Sequence, residues 1–209
     1  MIEKAANTKL HGKSKWLRTD EHVEFIEALE FTARVSTEVH KNPKQWRWLI
    51  LAMHLALQGV FVCTLRSIDT TGLSVLQKDN AKKMWHWLDV ESRLPNHNPR
   101  PEENLASMME LFRRLHDPSI HQQKQIIAPS QQAKADLKAL DGFRKKLAHF
   151  VPSSWSLDIR ELPIITLHCC EVIEQLAIIN CAFSYKLNGN QKRRIADAVR
   201  VVRSNLHAS

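Results

Sequence analysis

Glycine is scarce in this chain, with five in 209 residues, and there is one tyrosine. β-branched runs are few as well. A sandwich or barrel needs many tight turns between short alternating strands, so both are excluded as the main architecture. No GxGxxG or GxxxxGK occurs, which removes nucleotide binding through a glycine-rich loop. The four cysteines, Cys63, Cys169, Cys170 and Cys181, form no CxxC pair, and neighbours such as Cys169 and Cys170 rarely bridge each other. They read as reduced thiols, and the opening MIEKAANTKLHGKSKW lacks the apolar core of a secretory signal. A cytoplasmic location is the expectation.

One long apolar run is present, Trp48 to Leu65, near the length a bilayer requires. It carries His54 and Gln58, polar groups that are costly in lipid without partners. A buried central helix of a soluble bundle accounts for the same pattern, and no membrane partner is expected.

The composition, 44% hydrophobic and 25% charged, is that of an ordinary globular domain. Its net charge of +8 favours an anionic partner, although a solvated basic surface explains the charge equally well.

Punctuation along the chain is helical. Residues 1–18 are polar and basic and read as a flexible arm. Thr19 and Asp20 are N-cap candidates for a helix from about Asp20 to Val39. Asn42-Pro43 opens the apolar helix, which runs to about Ser67. A shorter helix spans about Asn80 to Arg93, and another opens at Pro101 and ends before Pro118. Residues 117–128 read as a loop. From Pro129 to about Phe150 the stripe Ala133, Leu137, Leu140 and Leu147 marks a helix. Trp155, Leu157 and Ile159 alternate with polar residues, as in an extended segment. Pro163 opens a long helix with the stripe Ile165, Cys169, Val172, Leu176, Ile179 and Phe183, stopping near Asn188-Gly189. A basic amphipathic helix over 190–209 closes the chain, packed on the bundle or a partner. The expected fold is an all-α bundle of six to seven helices over 19–187 plus this appendage.

The segment richest in chemistry is Asp141-Gly-Phe-Arg-Lys-Lys-Leu-Ala-His-Phe150. Arg144 interrupts the apolar stripe between Leu140 and Leu147, so it must snorkel out or meet an anion. His149 falls at the helix end, two residues before Val151-Pro152, where the chain is turned from helix. Free carbonyls there favour a protonated imidazole. Arg144 also has a plain structural option, pairing with Asp141 or an acid on a neighbouring helix, and His149 has one in capping carbonyls.

Arg144-x4-His149 resembles the Arg-x(4–6)-His signature of HEPN domains, helical bundles found in many ribonucleases of toxin–antitoxin and phage-defence systems. The stretch from Phe143 to Pro163 is similar to a set of uncharacterised bacterial HEPN-like proteins. The resemblance implies a metal-independent endoribonuclease without cofactor. In it the ribose 2′-hydroxyl attacks the adjacent phosphate and leaves a 2′,3′-cyclic phosphate. It assigns proton transfer to His149 and the scissile phosphate to Arg144. It also implies a homodimer sharing one groove and a cognate antitoxin. The residue after the arginine is Lys145, where active members commonly carry Asn, Asp or His. A lysine one turn before His149 lowers that histidine's pKa and offers a phosphate contact. The alternative function is a non-catalytic HEPN-like module that binds RNA, a nucleotide or a protein.

Asp141, Lys145, His54 and Gln58 are candidate supporting residues. His54 and Gln58, one turn apart, either face the Arg144 cleft or are satisfied in the core. Lys82 and Lys83 beside Trp85 and Trp87, and Arg193, Arg200 and Arg203 on the last helix, are candidate RNA contacts. Helix packing is the commoner use of tryptophan, and it is the expectation for both. His168, Cys169, Cys170 and Glu171 hold metal-ligand atoms, but consecutive helical positions point around the helix, so no metal is expected.

Overall fold

The computed structural model describes residues 19–117, 120, 130–148, 156–179 and 181–207. It is 74% helical, and among the described residues there is no strand. The helices are α1 (Glu21–Ser36), α2 (Trp46–Ile68), α3 (Lys78–Asp89), α4 (Met108–Leu115), α5 (Gln131–Ala148), α6 (Leu162–Glu174), the single-turn α7 (Cys181–Ser184) and α8 (Gly189–Leu206). The all-α bundle expected from the periodicities is the observed architecture.

Helix α2 is the axis. A 3₁₀ turn at Pro43–Gln45, capped by the Asn42 side chain, leads into it. α1, α4, α5 and α6 pack around it, and α8 lies across α1 and α6. Its central residues Leu49, Ile50, Met53, Leu57, Val60 and Phe61 are fully buried. The Pro43–Ile68 stretch is long and apolar enough to cross a membrane, and 67% of its apolar window is buried against the other helices. Leu162–Ile179 also has that length and apolarity. At Gly59 a β-carbon would stand 2.5 Å from the Phe25 β-carbon, so the missing side chain is what lets α1 approach α2 closely.

Local chemistry sets the boundaries. Asp20 caps α1 by accepting from the His22 and Val23 amides at 2.9 Å. The helix stops at Ser36 rather than Val39. The Ser36 and Thr37 hydroxyls donate back to the Ala33 and Arg34 carbonyls, competing with the next helical bonds. Pro101 does not open a helix. Residues 104–106 are instead paired with 75–77 through Gln77 N–H to Asn104 and Ala106 N–H to Val75, and α4 waits for its cap, Ser107. Asn188 closes no helix either: it caps α8, with Gln191 reciprocating in a capping box.

The long helix expected after Pro163 is broken by a π-helical turn at Gln175–Ile179. The wider turn rotates the face, leaving Ile179 54% exposed while Phe183 is buried against His22 and Phe25. Leu157 and Ile159 lie in an irregular segment, half-buried against the core. The arm at 1–18, most of the loop at 117–128, and Trp155 lie outside the described residues.

Candidate functional site

Helix α5 delivers a short run of charge to the flank of α2. Asp141 is buried, and its carboxylate accepts from His54 Nε2–H on α2 at 3.3 Å and from Lys145 Nζ, one turn along α5, at 2.7 Å. Because an ionised carboxylate only accepts, Nε2 of His54 carries the proton. His54 is 3% exposed. The structural option of an Asp141–Arg144 pair is not taken up, since Lys145 holds the carboxylate. Arg144 is half-buried, and among the described residues it has no ion-pair partner, although it lies close enough for its charge to act on His54.

The electrostatics follow from this crowding. Burial pushes the His54 pKa down, the Arg144 charge pushes it further, and the bond to Asp141 opposes both without prevailing. His54 is therefore neutral near pH 7. For Asp141, burial raises the carboxyl pKa, but the hydrogen bonds and charges of Lys145 and His54 together hold it below its ordinary value. The cluster is thus one carboxylate, one neutral imidazole and two cations, with Lys146 exposed beside them at the negative end of the α5 dipole. Its surplus is positive, which suits a phosphate.

His149, the proton-transfer residue the resemblance assigns, lies outside the described residues. Of the supporting candidates, His54, Asp141 and Lys145 are brought together with Arg144, while Gln58 is half-buried one turn along α2. The other candidates stand elsewhere. Lys82 and Lys83 are exposed on α3, where Trp87 packs by donating its indole N–H to the Asn98 carbonyl at 2.8 Å. Trp85 does not pack as expected: it is 57% exposed. On α8, Arg203 is paired with Glu174 at 2.9 Å, Arg200 is paired with Asp197, and Arg193 is exposed. Two of the three basic residues proposed to track phosphates are therefore engaged by carboxylates.

His168 donates through Nδ1 to Asp136 on α5 at 2.5 Å, while Cys169 and Cys170 are buried thiols whose pKa values burial raises, that of Cys170 to about 12. Sequence reasoning missed both histidine–aspartate pairs, because their partners lie 87 and 32 residues apart. It also missed Arg114, whose place in the last turn of α4 suits the helix dipole by itself. The side chain is buried instead, donating to the Ser74 and Leu76 carbonyls at 2.9 and 2.6 Å and to Glu110 at 2.9 Å. The signal for it was weak: Arg114 stands one residue, about 100° round the helix, from Leu115 and so falls at the flank of the apolar face. Comparisons with family models, with curated proteins and with solved structures find no match for this chain.

Proposed function

We propose that this chain is a metal-independent RNA endonuclease of HEPN type, working as a cytoplasmic homodimer in a toxin–antitoxin or phage-defence setting. The observation that carries the reading is Arg144: a half-buried guanidinium without a carboxylate partner among the described residues, at the basic end of α5. An arginine with no carboxylate beside it among the described residues is suited to an outside anion, and its fork matches two phosphate oxygens. Lys145 adds a second positive charge, partly engaged by Asp141. His54 is too buried to reach substrate; it positions Asp141, and through it the basic end of the helix. In this mechanism the 2′-hydroxyl loses its proton as it attacks phosphorus, the 5′-oxygen gains one as it leaves, and His149 moves these protons while Arg144 offsets charge on the non-bridging oxygens. The free cysteines Cys63, Cys169 and Cys170 agree with a reducing compartment.

A specific observation also favours the non-catalytic reading. The one described histidine of the cluster, His54, is buried and neutral. Binding without cleavage needs only the cations. One experiment separates the two: total RNA incubated with the purified protein in EDTA, followed by end-group analysis. Cleavage with 2′,3′-cyclic phosphate ends, lost in His149→Ala and reduced along with affinity in Arg144→Ala, supports the nuclease. Salt-dependent binding without any cut supports the binding module. Neither binding nor cleavage ends both. Light scattering checks the dimer.

A further inference from the structure

A second feature lies away from the α5 cluster, between α3 and the loop that follows α2. A cavity of 550 Å³ opens there, within the roughly 300–1,000 Å³ range of small-molecule sites. Leu73, Ala81 and Trp85 give it apolar walls, and Lys78 and Lys82 stand among its lining residues. Lys78, Lys82 and Trp85 are spaced four and three residues apart on α3, so one helical face presents two cations and an indole. Trp85 is more than half exposed, so its ring is open to a stacking partner. Both lysines are exposed and form no ion pair among the described residues, although Asp69 lines the same cavity.

The remaining groups hold the loop that forms one side of the groove. Asp69 is occupied: its carboxylate accepts from the Thr71 amide, the Thr71 hydroxyl and the Ser74 amide at 2.9, 2.5 and 2.8 Å. These bonds tie the loop into a rigid wall and disperse the negative charge. Arg114, which also lines the cavity, is bonded to the Ser74 and Leu76 carbonyls and fixes the same loop. An open groove with one exposed aromatic plane and two ammonium groups that have no ion-pair partner among the described residues suits a ligand that is flat and apolar at one end and anionic at the other.

The geometry points to a nucleoside monophosphate unit in this cavity, its base stacked on Trp85 and its phosphate held by Lys78 and Lys82. The source is a free nucleotide or one residue of a single strand, which present the same chemistry. The inference does not rest on Arg144 or on RNA cleavage.

Calorimetric titration of the full chain with AMP, adenosine, inorganic phosphate and pentaadenylate tests it. AMP should bind at least about tenfold more tightly than adenosine or phosphate alone, because both ends are recognised. Trp85→Ala should weaken AMP binding about tenfold, in line with base–aromatic stacking, and Trp85→Phe should restore most of it. The Lys78→Ala/Lys82→Ala pair should abolish the preference of AMP over adenosine. The melting temperature should hardly move, since these side chains are exposed. AMP binding as tight as pentaadenylate binding, or tighter, assigns the cavity to a free nucleotide, and tighter pentaadenylate assigns it to a strand; both uphold the inference. Absence of binding by AMP and pentaadenylate overturns it, as does binding that Trp85→Ala leaves unchanged. AMP binding that persists in Arg144→Ala keeps this result separate from the fate of the nuclease reading.

Discussion

Helix α2 buries thirteen of its 23 residues, and all but His54 and Thr64 among them are apolar. Its neighbour α5 buries six of 18, and two of those six are Asp136 and Asp141. Both helices line the same core, yet α2 is held by close packing and α5 in good part by two histidine–aspartate pairs, one reaching α2 and one α6. The difference separates two tasks. A helix whose position matters only for stability is best anchored by apolar area. A helix that presents a charged end to solvent at a set angle gains from directional bonds, which fix rotation as well as distance.

The comparison is broken most severely by removing volume from α2. Phe61 is fully buried against Phe112, ring centroids 5.6 Å apart, so Phe61→Ala should cost about 3–5 kcal/mol in chemical denaturation. Gly59→Ala attacks the same helix by overfilling. The new methyl meets the Phe25 β-carbon and backbone rather than a flexible tip, and α1 must move. A loss of about 1–3 kcal/mol is expected from the denaturant midpoint. If Gly59→Ala were neutral, α1 and α2 would not be in the close contact described.

On α5 the expected failure is electrostatic. Asp141→Ala leaves a buried imidazole N–H without an acceptor beside the charges of Arg144 and Lys145, at a cost of about 1–3 kcal/mol. Replacing both partners, His54→Leu with Asp141→Leu, should cost less than the single change, because no polar group is then stranded. A double variant as unstable as the sum of the singles would mean that the pair is not coupled.

This contrast also explains what was legible in the chain. α2 announces itself because burial on most sides needs a nearly continuous apolar run, and Asn42-Pro43 marks its start. The all-α class follows from such periodicities. The rest depended on partners distant in sequence. Nothing near Asp141 names His54 as its partner. Nothing near Arg114 names the carbonyls of Ser74 and Leu76. Pro101 is a permitted helix opener, but the pairing of 104–106 with 75–77 overrides it. Arg144 and Asp141, three residues apart, are a plausible local pair in sequence, yet Lys145 is the partner that reaches the carboxylate.

Acid should act on the His54–Asp141 bond that joins α5 to α2 before it acts on the apolar packing of α2. The His54 pKa is lowered in the folded state, so the unfolded chain binds a proton there more readily. Its contribution to stability is fully present above the unfolded value of 6.5 and is lost as pH falls from there toward the folded value. Denaturant midpoints measured from pH 7.5 downward should therefore decline below about 6.5, and His54→Leu should flatten that part of the curve while leaving the Phe61→Ala deficit unchanged.

The smallest effect on stability is expected at Arg144. With no ion-pair partner among the described residues, its truncation to alanine should move the unfolding free energy by no more than about 0.5 kcal/mol. The change should instead be read in His54. The Arg144 charge is the second cause, after burial, of that residue's lowered pKa, so removing it must shift the His54 titration upward toward 6.5. Imidazole proton resonances followed by NMR across pH 4–8 measure this directly. An upward shift without loss of stability identifies Arg144 as a charge available to an outside anion rather than a strut of the bundle. A large loss of stability with no shift would make it structural, and would remove the observation on which the proposed phosphate contact stands.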